Sequence, residues 1–168
     1  MSGREDAADI KEQIAKLKAH LASRARGVHF GLYKATMKAC LLVERTAKQK
    51  MTDTNVFLSY TSGKTGKLVK VASKGRSAPG NPPAVDTGAL RNSVTHVIEG
   101  GESKPQGFVG SVIKDPPYGA YLEHGTAKMA ARPWLGVSVD ENRAEINEIF
   151  HAEVRGGLQG KESSGATD

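Results

Sequence analysis

A chain of 168 residues with 38% hydrophobic and 5% aromatic content can fill one modest core, since domains cluster at roughly 100 to 150 residues, and it leaves little for a second. Its 19 glycines exceed the average share of roughly 7%, so much of the chain is expected in turns, and subunit contacts are expected to supply some of the missing burial. The net charge of +6 permits contact with nucleic acid without establishing it.

The first element is a long helix. Ile10, Ile14, Leu17 and Leu21 recur at spacings of four, three and four, which places them on one stripe of an amphipathic helix. Gly27 and Gly31 weaken that pattern, each costing roughly 1 kcal/mol relative to alanine, so a bend or break is expected near residues 23–27. Beyond it Val28, Leu32, Ala35, Ala39 and Leu42 mark one side, and Phe30, Tyr33, Met37 and Leu41 another. Between them Lys34, Lys38, Arg45 and Lys48 fall within about a quarter turn at the helical period, a basic seam. That seam reads either as a line facing DNA or an acidic partner, or as a solvated face of snorkelling side chains. The helix should end near residues 51–53, where Thr52, Asp53 and Asn55 favour turns. Cys40, the single cysteine, sits in the apolar pattern as a buried thiol and fits a reducing compartment.

Val56–Tyr60 and Lys67–Ala72 read as strands joined by residues 61–66. The Gly63-Lys-Thr in that connection lacks the earlier glycine of a phosphate-binding loop and precedes a strand rather than a helix, so it carries no nucleotide site. Residues 73–85 hold Lys74, Arg76, Pro79, Pro82 and Pro83 and read as an extended arm, suited to lie across a neighbour or to remain a surface loop. Asp86-Thr-Gly-Ala-Leu-Arg reads as a cap and a helical turn, with Leu90 pointing inward. Ser93–Ile98 and Phe108–Ile113 then read as two more strands around the turn at 100–106. Short connections among the four predict a small, mainly antiparallel four-stranded sheet.

Tyr118, Tyr121 and Leu122 lie three and four apart, as on one face of a short helix near 118–124, and Gly125 ends it. Arg132-Pro133 breaks the chain before Trp134 and Leu135, the anchor of the core. A closing helix runs from Leu135 to Val154, and Gly156–Asp168 has almost nothing to bury, which predicts a disordered tail. The expected fold is therefore α+β, a single domain over residues 1–155 with a tail from 156. Charge is uneven along it: residues 1–52 carry 11 Lys/Arg against 5 Asp/Glu, and residues 136–168 carry 3 against 7. A basic first element and an acidic last one can attract each other within a subunit or between neighbours.

Catalytic and metal signatures do not emerge. The histidines at 20, 29, 96, 124 and 151 are scattered, without H-x-x-x-H or C-x-x-C spacing. Glu123 and His124 are adjacent, and side chains about 100° apart on a helix rarely converge on one ion. No G-x-S-x-G occurs. The expectation is a protein that is not an enzyme, with no cofactor and no metal. No apolar run approaches the roughly 18 residues of a membrane span, and the N-terminus lacks the apolar core of a signal peptide, so a soluble protein made in the cytoplasm is expected.

Four pieces stand in order: Pro82-Pro then Asp86-Thr-Gly-Ala-Leu-Arg-Asn-Ser93, two strands, Pro117-Tyr-Gly-Ala-Tyr-Leu-Glu-His-Gly-Thr126, and Arg132-Pro-Trp-Leu135 before a helix. This order resembles the tail-component or tail-completion (neck, head–tail joining) family of lambdoid tailed bacteriophages, over about residues 78–155. The long basic first helix and the glycine-rich end depart from the family pattern. The resemblance implies a structural virion protein, a ring-forming subunit at the head–tail interface, assembled in the host cytoplasm. A sixfold ring is implied, with twelvefold as the alternative, between a connector or head-closure ring and the tail terminator or tube. Double-stranded DNA would pass through the lumen without sequence-specific binding, and no membrane is involved. Asp86, Thr87, Gly88, Leu90, Arg91, Tyr118, Tyr121, Glu123, Gly125, Arg132, Pro133 and Trp134 would fix the fold. Lys64, Lys74, Arg76, Pro79, Pro82 and Pro83 would make subunit contacts, and Lys34, Lys38, Arg45 and Lys48 would face DNA or the lumen. The alternative, from composition alone, is a basic DNA-binding module without a ring role.

Overall fold

The computed structural model describes residues 3–51, 55–61, 68–74, 79–85 and 87–160, and side chains for 9–51, 79–85 and 87–160. In chain order these form α1 (Gly3–Lys50), β1 (Asn55–Thr61), β2 (Leu68–Lys74), α2 (Ala89–Ser93), β3 (Val94–Glu99), β4 (Gln106–Ser111), α3 (Tyr118–His124), α4 (Leu135–Glu141) and α5 (Arg143–Leu158). The architecture is α+β with a long first helix. The four-stranded sheet is not formed: β1 pairs antiparallel with β2 from Asn55↔Lys74 to Thr61↔Leu68, and β3 pairs with β4, as two separate two-stranded sheets among the described residues. The assumption that failed was short connections throughout. Lys74 and Val94 are separated by an arm with three prolines and by α2. Prolines lack the N–H a ladder needs, and the intervening helix rules out a hairpin.

The chain divides into two compact units, one of residues 1–39, 98–107 and 144–168, the other of 40–97 and 108–143. In the first, α1 and α5 meet backbone to backbone. A Cβ on Gly27 would come within 2.3 Å of the Gly157 carbonyl oxygen, and one on Gly31 within 2.5 Å of the Glu153 oxygen. The expected break near residues 23–27 is absent and α1 continues unbroken to Lys50. The glycines are there for the close approach of a second helix, and that packing outweighs their poor helix propensity. α5 likewise continues through Gly156 and Gly157 to Leu158, so these residues, read from composition as the start of a loose tail, are helical. Residues 161–168 lie outside the described residues.

The second unit holds the core of Ala47, Met51, Val94, Leu122 and Trp134, with Val85, Leu90, Val109, Met129 and Leu135 packed against it. Cys40 is buried, and burial, followed by the nearby Glu44 charge, raises its thiol pKa. The single closing helix is in fact two, α4 and α5, separated at Asn142. Asn142 Nδ2 donates to the Ser138 carbonyl (2.7 Å) and to Thr46 Oγ1 (3.0 Å). An amide that can bond backbone and a second element competes with helix continuation at that position.

The glycine crossing gives a direct test. Gly27→Ala gains helix propensity but meets a backbone oxygen, and should destabilise by about 1–3 kcal/mol. Gly156→Ala, also helical but with open space around its Cβ position, should be neutral or stabilising by up to about 1 kcal/mol. Thermal unfolding of the two variants against wild type measures the contrast, and equal effects would contradict the close approach.

Candidate functional site

Leu90, Leu122 and Glu123 meet Trp134, which is 2% exposed, at one corner of the second unit. Its indole Nε1 donates to the Gly119 carbonyl at 3.2 Å, which satisfies the one polar atom a buried tryptophan brings with it. Gly119 sits in a tight space: a Cβ there would lie 3.2–3.4 Å from Ser111, Leu90 and Trp134 side-chain atoms, which would have to give by a few tenths of an ångström. One turn later on α3, Glu123 accepts the backbone N–H groups of Trp134 (2.8 Å), Leu135 (2.9 Å) and Gly136 (2.8 Å). These are amides of the first turn of α4 that no intrahelical carbonyl can reach, and a carboxylate there also meets the positive end of the helix dipole. Glu123 is thus a capping residue borrowed from another helix.

The rest of the corner is tied by backbone. Arg132 N–H donates to the Leu122 carbonyl at 2.7 Å, Gly80 N–H to the Ala131 carbonyl at 2.9 Å, and Ser138 Oγ to the Trp134 carbonyl at 2.5 Å. Gly125 has φ +75°, and a Cβ on it would fall 2.8 Å from Ala131 N and Met129 O, so glycine is required by conformation and by space together. In the Thr-Gly turn, Gly88 has φ +78° at the start of α2, and the Thr87 hydroxyl accepts Ala89 N–H at 3.3 Å. Asp86 lies outside the described residues. Leu90 packs on the core and Arg91 is half-buried. Ser93, at the end of α2, donates to the Leu90 carbonyl at 2.7 Å and shares a 2.8 Å bond with Ser111 at the end of β4.

Tyr118 and Tyr121 stand apart from this corner. They are 48% and 43% exposed, whereas Gly119 and Leu122 of the same helix are buried. The face of α3 that enters the core carries the smaller residues, and both rings remain on the surface. Pro133 is half-buried beside Trp134 in sequence.

Of the expected subunit contacts, Pro79 is exposed, Pro82 half-buried and Pro83 buried. Lys74 closes β2 without a described side chain, and Lys64, Arg76 and the connection at 62–67 lie outside the described residues. The basic seam is divided between the two units. In the first, Lys38 is paired with Glu153, and Lys34 Nζ sits 4.4 Å from the Phe30 ring centroid. Both line a groove of ≈1180 Å³ with His20, Arg24, Arg26 and Phe30. In the second unit Arg45 is exposed, whereas Lys48 lies 2.5 Å from Glu44. Glu44 also takes His96 Nδ1 at 2.6 Å. Arg24 and Arg26 escaped notice in the sequence because they lie outside the azimuth of the four seam residues; the groove formed where α5 meets α1 collects them.

Among the described residues no three His, Cys, Asp or Glu side chains gather as a metal-holding group, and no helix is long and apolar enough to cross a membrane. Comparison with protein-family models, curated proteins and solved structures gave no match.

The half-buried Glu123 and Glu44 both hold their charge. Burial raises the Glu123 carboxyl, but the three N–H groups, with His124 beside it, more than offset this, and its pKa lies below the ordinary glutamate range. Glu44 is lowered by its bonds to Lys48 and then His96, against a smaller effect of burial. A carboxyl lowered in the folded state stabilises fully above its unfolded pKa, and that contribution is lost as pH falls through the folded value. Thermal stability should therefore fall on acidification below the ordinary glutamate range. Glu123→Gln should cost roughly 1–2 kcal/mol at neutral pH and flatten that acid limb, whereas Glu123→Ala should cost about 2–3 kcal/mol. Denaturant melts at several pH values check both, and an unchanged acid limb in Glu123→Gln would refute the assignment.

Proposed function

We propose that the chain is a structural virion protein of a tailed bacteriophage, a ring-forming tail-completion or neck subunit at the head–tail interface, without catalysis. The observation that carries this reading is the ordered set of four sequence pieces. Its support from geometry is that Leu90, Glu123, Gly125 and Trp134, drawn from three of those pieces, lie in or against one corner of the second unit. Such a set of residues has a structural rationale and needs no substrate.

A stand-alone DNA-binding module is the weaker reading. Two of its four proposed contacts, Lys38 and Lys48, already face carboxylates of their own chain, so releasing them to phosphate would break an existing pair. A binder making several phosphate contacts loses affinity steeply with salt, whereas a ring subunit need hold no free DNA.

Light scattering and negative-stain electron microscopy of the purified chain, alone and mixed with the head-closure and tail-terminator proteins of its own phage, test the proposal. Closed rings with a lumen that admits duplex DNA are expected in at least one mixture. A chain that stays monomeric in all of them, or that binds free duplex tightly with a steep salt slope, overturns it.

A further inference from the structure

Beside the glycine crossing, α1, α5 and the turn at 100–106 border a groove of ≈1180 Å³ whose lining belongs entirely to the first unit. Its volume passes the roughly 1,000 Å³ upper end of small-ligand pockets, so it suits a chain segment better than a lone anion. Arg26, Phe30, Lys34 and Met37 follow one another along α1 at spacings of four, four and three, which sets cation, ring, cation and thioether in a row. Phe30 and Met37 are 42% and 37% exposed, and Leu158 at the end of α5 is 45% exposed. Lys34 Nζ lies 4.4 Å from the Phe30 ring centroid, so charge and apolar surface alternate closely here. Arg24 and Arg26 are exposed and make no ion pair with a described residue. Among the described residues four Lys/Arg line the groove against two glutamates, Glu102 and Glu153.

We propose that this groove binds an acidic, amphipathic segment of a partner protein. Its Asp or Glu side chains meet Arg24, Arg26 and Lys34, and its apolar side chains cover Phe30 and Met37. Those two residues stand seven positions apart, roughly 10 Å along the helix, the separation of positions i and i+7 on an amphipathic helix laid in a groove. Nucleic acid fits less well. A phosphodiester backbone has nothing apolar to lay on Met37 and Leu158, and its unbroken negative charge would have to pass Glu102 and Glu153. A duplex, a convex rod, does not seat in a cleft between two helices. The inference does not rest on the ring reading, since such a segment can belong to any neighbouring protein.

Fluorescence anisotropy with the full-length chain tests it. The probe is a labelled peptide of Asp and Glu with two leucines seven positions apart, compared with oligoglutamate and single-stranded oligothymidylate of equal charge. The leucine-bearing peptide should bind saturably, one per chain, and about tenfold or more tighter than either comparison probe. Arg26→Glu and Phe30→Ala should each weaken it by about tenfold or more. Lys11→Glu, the same charge change as the first but on an exposed residue of α1 outside the groove, should leave it within about twofold. Circular dichroism of the variants should match wild type, because all three side chains are exposed. Equal binding of oligoglutamate, equal or tighter binding of oligothymidylate, equal losses in Lys11→Glu and Arg26→Glu, or no saturable binding of the peptide each overturns the inference. None of these outcomes bears on ring formation, which light scattering and microscopy read separately.

Discussion

The second unit depends on one carboxylate placed across three amides. Without Glu123 the half-buried N–H groups of Trp134 and Leu135 would lose their acceptor beside a buried indole, where an unmet donor is costly, and the exposed Gly136 N–H would turn to water. Helix α3 holds Trp134 from both ends, its backbone N–H through Glu123 and its indole through the Gly119 carbonyl. From there the constraint spreads. Ser138 bonds back to Trp134, Asn142 bonds Ser138 and reaches Thr46, and Lys50 meets Glu141 at 2.6 Å. A short chain of polar contacts thus ties α4 to the end of α1 around the core.

The first unit uses the opposite means. Where α1 and α5 cross, three glycines remove side chains from the interface, and the helices are held by proximity of backbones and by flanking groups such as Lys38 with Glu153. The basic residues of α1 are accordingly less available than a count of charges implies. Their placement along a groove makes them an electrostatic boundary, and exposed ion pairs of this kind contribute only modestly to stability.

Much of this was legible in the sequence where local chemistry and geometry coincide. The D-T-G turn needs a left-handed glycine, the Y-x-x-Y-L-E-H-G segment is a helix with its stop signal, and R-P-W-L announces a chain break before a large anchor. What was not legible depended on partners distant in sequence. Gly27 and Gly31 read as helix weakeners until α5 was present to need their lack of a side chain. Tyr118, Tyr121 and Leu122 read as one face of a short helix, yet the crowding of Leu90, Ser111 and Trp134 around Gly119 turns Gly119 and Leu122 inward and leaves both tyrosines exposed. The role of Glu123 is invisible in a one-dimensional pattern, since a carboxylate eleven positions before a tryptophan has no periodic signature. The four strands were recognisable as strands, but no residue type in them states which strand pairs with which.

The burial of Trp134 has an optical consequence. It is the only tryptophan in the chain and lies wholly within the second unit, whereas α1 and α5 supply most of the helical content. Indole emission reports the corner built on Glu123, and far-ultraviolet circular dichroism reports chiefly the two long helices. Whether the two signals change together is the measure of whether the units fold as one cooperative body or as two.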